Sequence, residues 1–358
     1  KDYQKREKVK DDRFDVVTVY NLAHSPTELM IVKDKWTHSA GDATELNSFV
    51  QTRSQNAHKG LAKLIHYGVQ QRSQGCSDFW HHFMAFEYFP KNMEQEIEER
   101  IALPNDSKQK RVYSEPEIWY TIDLLVSILH SFENRGYHHG DIQPKNLMID
   151  PHGFIKLTDN SLINYGETGY TKAIFRGYKS ALSPKLMAAL PYKELKPVHD
   201  PSKSDVYSIG ITALCASLNR NIGNFYDWSK PAINYEAIKS GLVNMAQLGF
   251  SKQLINVIEG MLNPNEDSRT SCQTLFNFME TNGHAIRSGE FHRIGRGSAM
   301  NSSQTPMNQS IVINQGNQRT SVPVQGTGPA PYQPSPAVSP YQSPQQNPYQ
   351  QYQQTPYQ

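Results

Sequence analysis

Three side chains stand out for the chemistry their spacing allows. Asp141 and Asn146 lie in the stretch YHHGDIQPKNLMI (137–149), and Asp159 follows in IKLTDNS (155–161). Two carboxylates and an amide oxygen are hard donors that suit magnesium, which takes few protein ligands and keeps several waters. In a phosphoryl-transfer site one Asp orients the acceptor hydroxyl, while an Asn and a second Asp hold the magnesium that bridges the nucleotide phosphates. Asp141 fits the first role; Asn146 and Asp159 fit the second. Between them the chain reads as loop, short strand (147–149), turn (150–153), second strand (154–157) and loop, which sets both aspartates on one rim.

Other elements must hold that rim in place. Thr18 to Lys33 alternates as a hairpin around His24-Ser25-Pro26, with Lys33 ending its second strand. Ala43 to Arg53 has helical character and carries Glu45, the one Glu between Trp36 and His66. His81 to Phe89 reads as an apolar strand leading into a connection. Ser114 to Gly136 is a capped amphipathic helix: Ser114 is the cap, Pro116 lies in the first turn, Glu117 stands three residues after the cap, and Gly136 ends it.

In combination these segments resemble the eukaryotic protein kinase superfamily. HGDIQPKN (139–146) stands where that family writes HRDxKxxN, and DNS (159–161) where it writes DFG. RGYKSALSPKL (176–186) is similar to the end of an activation segment, KSDVYSIG (203–210) to the start of the central large-lobe helix, and NPNEDSRTS (263–271) puts Arg269 at the family's late arginine. Several motifs in order make a strong signal, where HGDxxxxN alone is weak. The resemblance implies an α+β fold of two lobes: a β-rich N-lobe with its hinge at 1–89, a mainly helical C-lobe at 90–287, and a Gln/Pro/Ser/Tyr-rich tail at 288–358. It also implies ATP and magnesium. Asp141, Lys33 and Asn146 would be catalytic, and Asn146 with Asp159 would hold metal. Lys33, steadied by Glu45, would clamp the phosphates, and Glu87, Phe89 and Met148 would border the adenine. Asp205 would be structural, accepting backbone amides of the catalytic loop. The acceptor would be a protein hydroxyl, serine or threonine ahead of tyrosine. Two other classes fit the same loop: a pseudokinase that serves as a binding scaffold, and a small-molecule phosphotransferase of the choline and aminoglycoside kinase type. SPKL and DVYSIG argue against the latter.

Departures from the family pattern predict impaired transfer. No glycine precedes Gly41, so the glycine-rich loop that lets backbone amides approach the phosphates is missing. Asp11, Asp12 and Asp15 occupy the corresponding stretch and would repel a triphosphate. Ile31 crowds the adenine roof, and Asn160 replaces the hydrophobic residue that tethers the metal loop. Gln143 replaces the lysine that contacts the transferred phosphate, and Gly140 replaces the arginine that receives an activation-loop phosphate. Lys185 stands where a glutamate pairs with the late arginine, so it would face Arg269 with like charge unless Glu266 or Asp267 intervenes.

Composition bounds the remainder. A chain of 358 residues with 37% hydrophobic residues can fill two lobes. No run approaches the roughly 18 apolar residues of a membrane span, and the polar start does not resemble a signal peptide, which points to the cytoplasm, with nuclear or cytoskeletal association as alternatives. Cys76, Cys215 and Cys272 are odd in number and widely spaced, and read as reduced packing residues. A net charge of +2 with both signs mixed gives no reason to expect nucleic acid or membrane partners. From Ala299 the chain is rich in Gln, Pro, Ser and Asn, with Arg319 its one charged residue and Pro-Tyr-Gln units at Tyr332, Tyr341, Tyr349 and Tyr357. Such a segment buries no core; it reads as a solvated extension, or as an arm that contacts a protein partner, cytoskeletal or another polymer. The chain begins at Lys1, so a preceding segment is an expectation.

Overall fold

Runs rich in β-branched and aromatic residues, such as VVTVYNL (16–22) and SDFWHHFMAFE (77–87), help build a five-stranded sheet at the start of the chain. The computed structural model describes residues 3–9, 16–22, 25–55, 57–74, 77–104, 112–158 and 168–287. The strands are β1 (Tyr3–Val9), β2 (Val16–Leu22), β3 (Ser25–Thr37), β4 (Leu64–Gln74) and β5 (Ser77–Glu87), all antiparallel in the order β1-β2-β3-β5-β4. Lys33 lies opposite Val17 and Met84, and Ile31 opposite Val19 and Phe86. Residues directly opposite one another share a side of the sheet, so these six occupy one face. Helix α1 (Ala40–Gln55) covers that face, and Leu46 and Val50 join Val17, Met84 and Phe86 in the small-lobe core, with Ile31 packed against it. The predicted hairpin forms, but β3 continues past Lys33 to Thr37. Cross-strand contacts carry it on: His81 bonds Asp34 at 2.6 Å and stacks on Trp36 at 4.0 Å.

The rest of the described chain is mainly helical. Strand β6 (Lys91–Asn92) leads into α2 (Met93–Ala102) and α3 (Glu115–Glu133); β7 (Leu147–Ile149) and β8 (Ile155–Leu157) complete a small sheet in the order β6-β7-β8. Then come α4 (Gly169–Arg176), α5 (Pro184–Ala189), α6 (Pro201–Leu218), a two-stranded ribbon β9 (Tyr226–Asp227) and β10 (Ala232–Ile233), α7 (Tyr235–Gln247), α8 (Lys252–Met261) and α9 (Cys272–Arg287). α6 is buried without interruption from Ser204 to Ser217. A helix enclosed on all sides belongs at the centre of a core, and α3, α8 and α9 pack around it.

The α3 start forms as the sequence predicts: the Ser114 N–H and Oγ both donate to Glu117 Oε2, at 2.6 and 2.7 Å. The helix ends at Glu133, and Gly136 follows in the left-handed region at φ 73°. The two lobes are joined at β8, where Leu157 N–H donates to Gly60 O at 2.8 Å and Ala62 N–H to Leu157 O at 2.9 Å. Lys185 does not oppose Arg269, because Glu266 pairs with it. Arg269 is buried and donates instead to the carbonyls of Asn263 and Lys203, both at 2.9 Å, and of Pro264 at 3.3 Å. Cys215 and Cys272 are buried free thiols, and Cys76 lies outside the described residues, as does the whole tail from 288. Among the described residues no helix is long and apolar enough to cross a membrane.

His82 gives the fold a pH dependence. It is fully buried on β5, its ring nitrogens bonded to Tyr67 Oη at 2.8 Å and Thr37 Oγ1 at 3.0 Å. Burial first, and the neighbouring His81 second, hold its pKa below the usual 6.5. The unfolded chain therefore takes up a proton that the native state refuses, so this contribution to stability is present above about pH 6.5 and is lost as pH falls through the native value. Thermal melts from pH 8 to 5 should show the midpoint dropping below about pH 6.5, and His82→Gln should remove up to about one proton from that dependence. An unchanged slope in the variant would locate the acid sensitivity elsewhere.

Candidate active site

A carboxylate on the central helix shapes the loop that carries Asp141. Asp205 of α6 is buried and accepts the backbone N–H of His139 at 2.7 Å and of Gly140 at 2.8 Å. Burial pushes its carboxyl pKa up, against His139, His138 and the two amides, which favour the ionised form. Asp205 thus has the structural place expected for it. His139 bonds on both sides, accepting Asp141 N–H at Nδ1 (3.2 Å) and donating from Nε2 to Thr158 O (2.9 Å), which assigns the tautomer. A 3₁₀ turn at Pro144–Asn146 leads into β7. Asn146 is buried there, and its Nδ2 donates to Asp141 O at 2.7 Å, so its Oδ1 is the end left to act as an oxygen donor. Asn146 O accepts Thr158 N–H at 2.8 Å, tying the end of β8 to the same turn. Asp159 and Asn160, the next residues, lie outside the described residues.

The Asp141 carboxylate is enclosed, its side chain 0% exposed. Oδ1 accepts Gln143 Nε2 at 2.5 Å and Ser180 Oγ at 2.6 Å; Oδ2 accepts Lys172 Nζ at 2.6 Å and Tyr178 Oη at 3.1 Å. Two carboxylate oxygens offer about four lone-pair sites, and four donors fill them. Burial alone would raise the pKa, but the Lys172 charge and the hydrogen bonds from Lys172 and Ser180 outweigh it and hold the carboxyl below the usual range. Lys172 and Lys145 also flank the Tyr178 ring, at 4.8 and 3.6 Å from its centroid.

Two glycines let α4 close so tightly. Gly140 sits at φ 75°, where a Cβ would also come within 2.8 Å of Thr168 Cγ2. A Cβ on Gly169 would lie 2.2 Å from Ser180 Oγ and 2.6 Å from Asp141 Oδ1. Gly169 N–H donates to Gly140 O at 2.8 Å, and Thr168 caps α4 through Thr171 N–H at 3.2 Å. The replacement of the family's arginine by Gly140 therefore has a steric reason in this chain: α4 occupies the space.

Lys33 is half-buried on β3, its ammonium 5.5 Å from the Phe86 ring centroid. Glu45 is exposed on α1, and the ion pairs among the described residues include none between it and Lys33. Glu87 ends β5 and accepts Lys63 N–H at 2.5 Å and Lys156 Nζ at 2.9 Å, so its carboxylate is engaged with β8 and the segment before β4. Phe89 is buried just beyond, and Met148 is half-buried at the centre of β7, opposite Asn92 and Lys156. Asp11, Asp12 and Asp15 lie outside the described residues. The structure thus brings Asp141, Asn146 and Asp205 together and adds three groups the sequence reading missed: Lys172, Tyr178 and Ser180. The accessible signal was the paired change at Gly140 and Gln143, which leaves a space and a charge to be filled.

The profile of the protein kinase domain matches residues 15–279. Among curated relatives, the serine/threonine-protein kinase KSP1 of Saccharomyces cerevisiae is 27% identical over 156 residues, 43% of this chain and 14% of the relative. CBL-interacting protein kinase 22 of Oryza sativa subsp. japonica is 28% identical over 178 residues, 48% of this chain and 37% of the relative. CBL-interacting protein kinase 19 of the same plant is 28% identical over 152 residues, 42% and 28% of the two chains. The chain thus spans well under half the length of these curated relatives.

Gly169→Ala tests the closure of α4. The added methyl must displace Ser180 or the Asp141 carboxylate, both buried, so the variant should lose about 1 to 3 kcal/mol in denaturant unfolding, whereas Gly177→Ala, where nothing crowds the new Cβ, should show only the effect of its left-handed φ of 61°. Unchanged stability in Gly169→Ala would mean that close packing at Gly169 is not what matters.

Proposed function

The chain belongs to the protein kinase family, and on that premise we propose that it transfers the terminal phosphate of ATP to a protein hydroxyl. The observation that carries this reading is the joint placement of Asp141 and Asn146 on one loop held by Asp205. Asp141 is kept ionised and would accept the hydrogen bond of the acceptor hydroxyl, setting its oxygen for attack. Asn146, with its amide nitrogen already committed inward, fits an oxygen ligand for magnesium, with Asp159 as its carboxylate partner. Magnesium, when bound, would neutralise phosphate charge. Lys33 would clamp the phosphates; Glu45, exposed in this conformation, would need α1 to turn before it could steady that lysine. Glu87, Phe89 and Met148 border the proposed adenine position. Several relatives carry serine/threonine kinase names, which supports a serine or threonine acceptor, and we place the reaction in the cytoplasm with a protein as the partner.

One observation favours a second reading, a binding module that keeps the bilobal fold without transfer. The Asp141 carboxylate is closed off and fully bonded, so an acceptor hydroxyl can reach it only by displacing a donor. In that reading the surface and the Pro-Tyr-Gln tail would contact the partner, cytoskeletal or otherwise.

Thermal denaturation of the full chain with ATP, with magnesium and with both separates the two. A ligand at 100 times its dissociation constant stabilises the native state by about 2.7 kcal/mol. The proposal expects a midpoint shift that needs both ligands and disappears in a Lys33→Met, Asp159→Asn double variant. No shift at millimolar nucleotide would favour the binding module.

A further inference from the structure

Phosphoryl transfer calls for positive charge where the acceptor meets the transferred group. Gln143, two residues after Asp141, brings none: its Nε2 is spent on Asp141, Tyr178 and Ser180, and its Oε1 is buried without a hydrogen-bond partner among the described residues. The positive charge at Asp141 comes from a different element. Lys172 of α4 places Nζ 2.6 Å from Oδ2, with the two side chains 2% and 0% exposed.

We propose that Lys172 is the cation of the transfer step, resident at Asp141 while the reaction proceeds, in place of the charge that Gln143 lacks. The inference rests on the phosphoryl-transfer reading above. The alternative role for such a contact is a plug that must leave before the acceptor can enter, and three observations weigh against it. Removing one partner of a fully buried ion pair leaves the other charge uncompensated, so the pair resists opening. α4 is also fastened along its length: Gly169 N–H to Gly140 O at 2.8 Å, Tyr170 Oη to Glu194 O at 2.7 Å, and a left-handed cap at Gly177. Finally, the carboxylate holds neutral donors that can exchange at lower cost. The Ser180 hydroxyl, 2.6 Å from Oδ1, marks the kind of contact an incoming hydroxyl would make, and Tyr178 Oη at 3.1 Å is the longest of the four.

The step then balances without another reactant. The acceptor oxygen forms a bond to the terminal phosphorus of a nucleoside triphosphate, and the bond from that phosphorus to the bridging oxygen breaks, its electron pair leaving with the diphosphate. The hydroxyl proton passes to Asp141. Lys172 remains an ammonium throughout, offsetting negative charge on the carboxylate and on the phosphoryl oxygens as the transfer occurs.

The test measures steady-state transfer from labelled Mg-ATP to dephosphorylated casein by the full chain, alongside melting with and without Mg-ATP. Lys172→Met should lower kcat about 100-fold with the KM for ATP changed by less than about threefold, the size seen when one charge-stabilising donor is removed. Lys172→Arg should retain most of the activity. Gln143→Lys placed in the Lys172→Met background should recover at least about tenfold by returning a cation to Asp141, and should regain melting temperature lost in the absence of nucleotide. Should Lys172→Met fail to fold, the double variant decides alone: transfer within about tenfold of the unsubstituted chain upholds the role, and less overturns it. A kcat that rises or stays level in Lys172→Met would show a plug or a bystander. A chain that shows the Mg-ATP melting shift but transfers nothing overturns the role of Lys172 and leaves nucleotide binding standing. Loss of the shift itself would overturn the reading of the site on which this one depends.

Discussion

Enclosing the Asp141 carboxylate is the constraint around which the large lobe's site is arranged. An ionised carboxyl removed from water needs its lone pairs filled and its charge offset. The loop alone cannot do that; Gln143 contributes one bond to a single oxygen. The remaining donors come from α4 and from the stretch after it, through Lys172, Tyr178 and Ser180. For these to arrive, α4 must lie against the loop at backbone distance. That is possible because positions 140 and 169 lack a Cβ. Charge compensation, helix placement and two glycines are therefore one requirement seen at three levels.

The loop itself is held from beneath by the core. α6 is buried along most of its length, which fixes where Asp205 stands, and Asp205 in turn fixes the amides of His139 and Gly140. Asn146 and Thr158 then bind the loop to β8. β8 also carries the joint to the first lobe through Gly60 and Ala62. A displacement of the central helix would thus be felt at the loop, at β8 and at the joint between lobes. The first lobe is less committed. Its sheet presents Lys33 on the face that α1 covers, while Glu45 is exposed on that helix.

Several elements were legible because their signals are local. Ser114, Pro116 and Glu117 define the α3 start through bonds within one helical turn. The short strands around the Asp150–Gly153 turn are set by that turn, and the α6 segment is legible in its resemblance to the family motif. Other features depended on distant partners. β3 runs to Thr37 because β5 offers His81 to Asp34 and Trp36, which no property of residues 34–37 announces. The Lys185 and Arg269 problem is solved by Glu266, one of two carboxylates the sequence offered, and by three backbone carbonyls that only the folded chain brings into range.

The sequence by itself determined the family, the order of the two lobes, and which loop carries Asp141 and Asn146, because those rest on motif spacing and on helix and strand periodicity that act within short stretches. The tertiary structure decided what surrounds Asp141. A lysine at position 172 has the same local chemistry as any other lysine on a short helix; it becomes the counter-charge of a buried carboxylate only when chain closure brings residues separated by some thirty positions within hydrogen-bond distance, and no local pattern encodes that encounter.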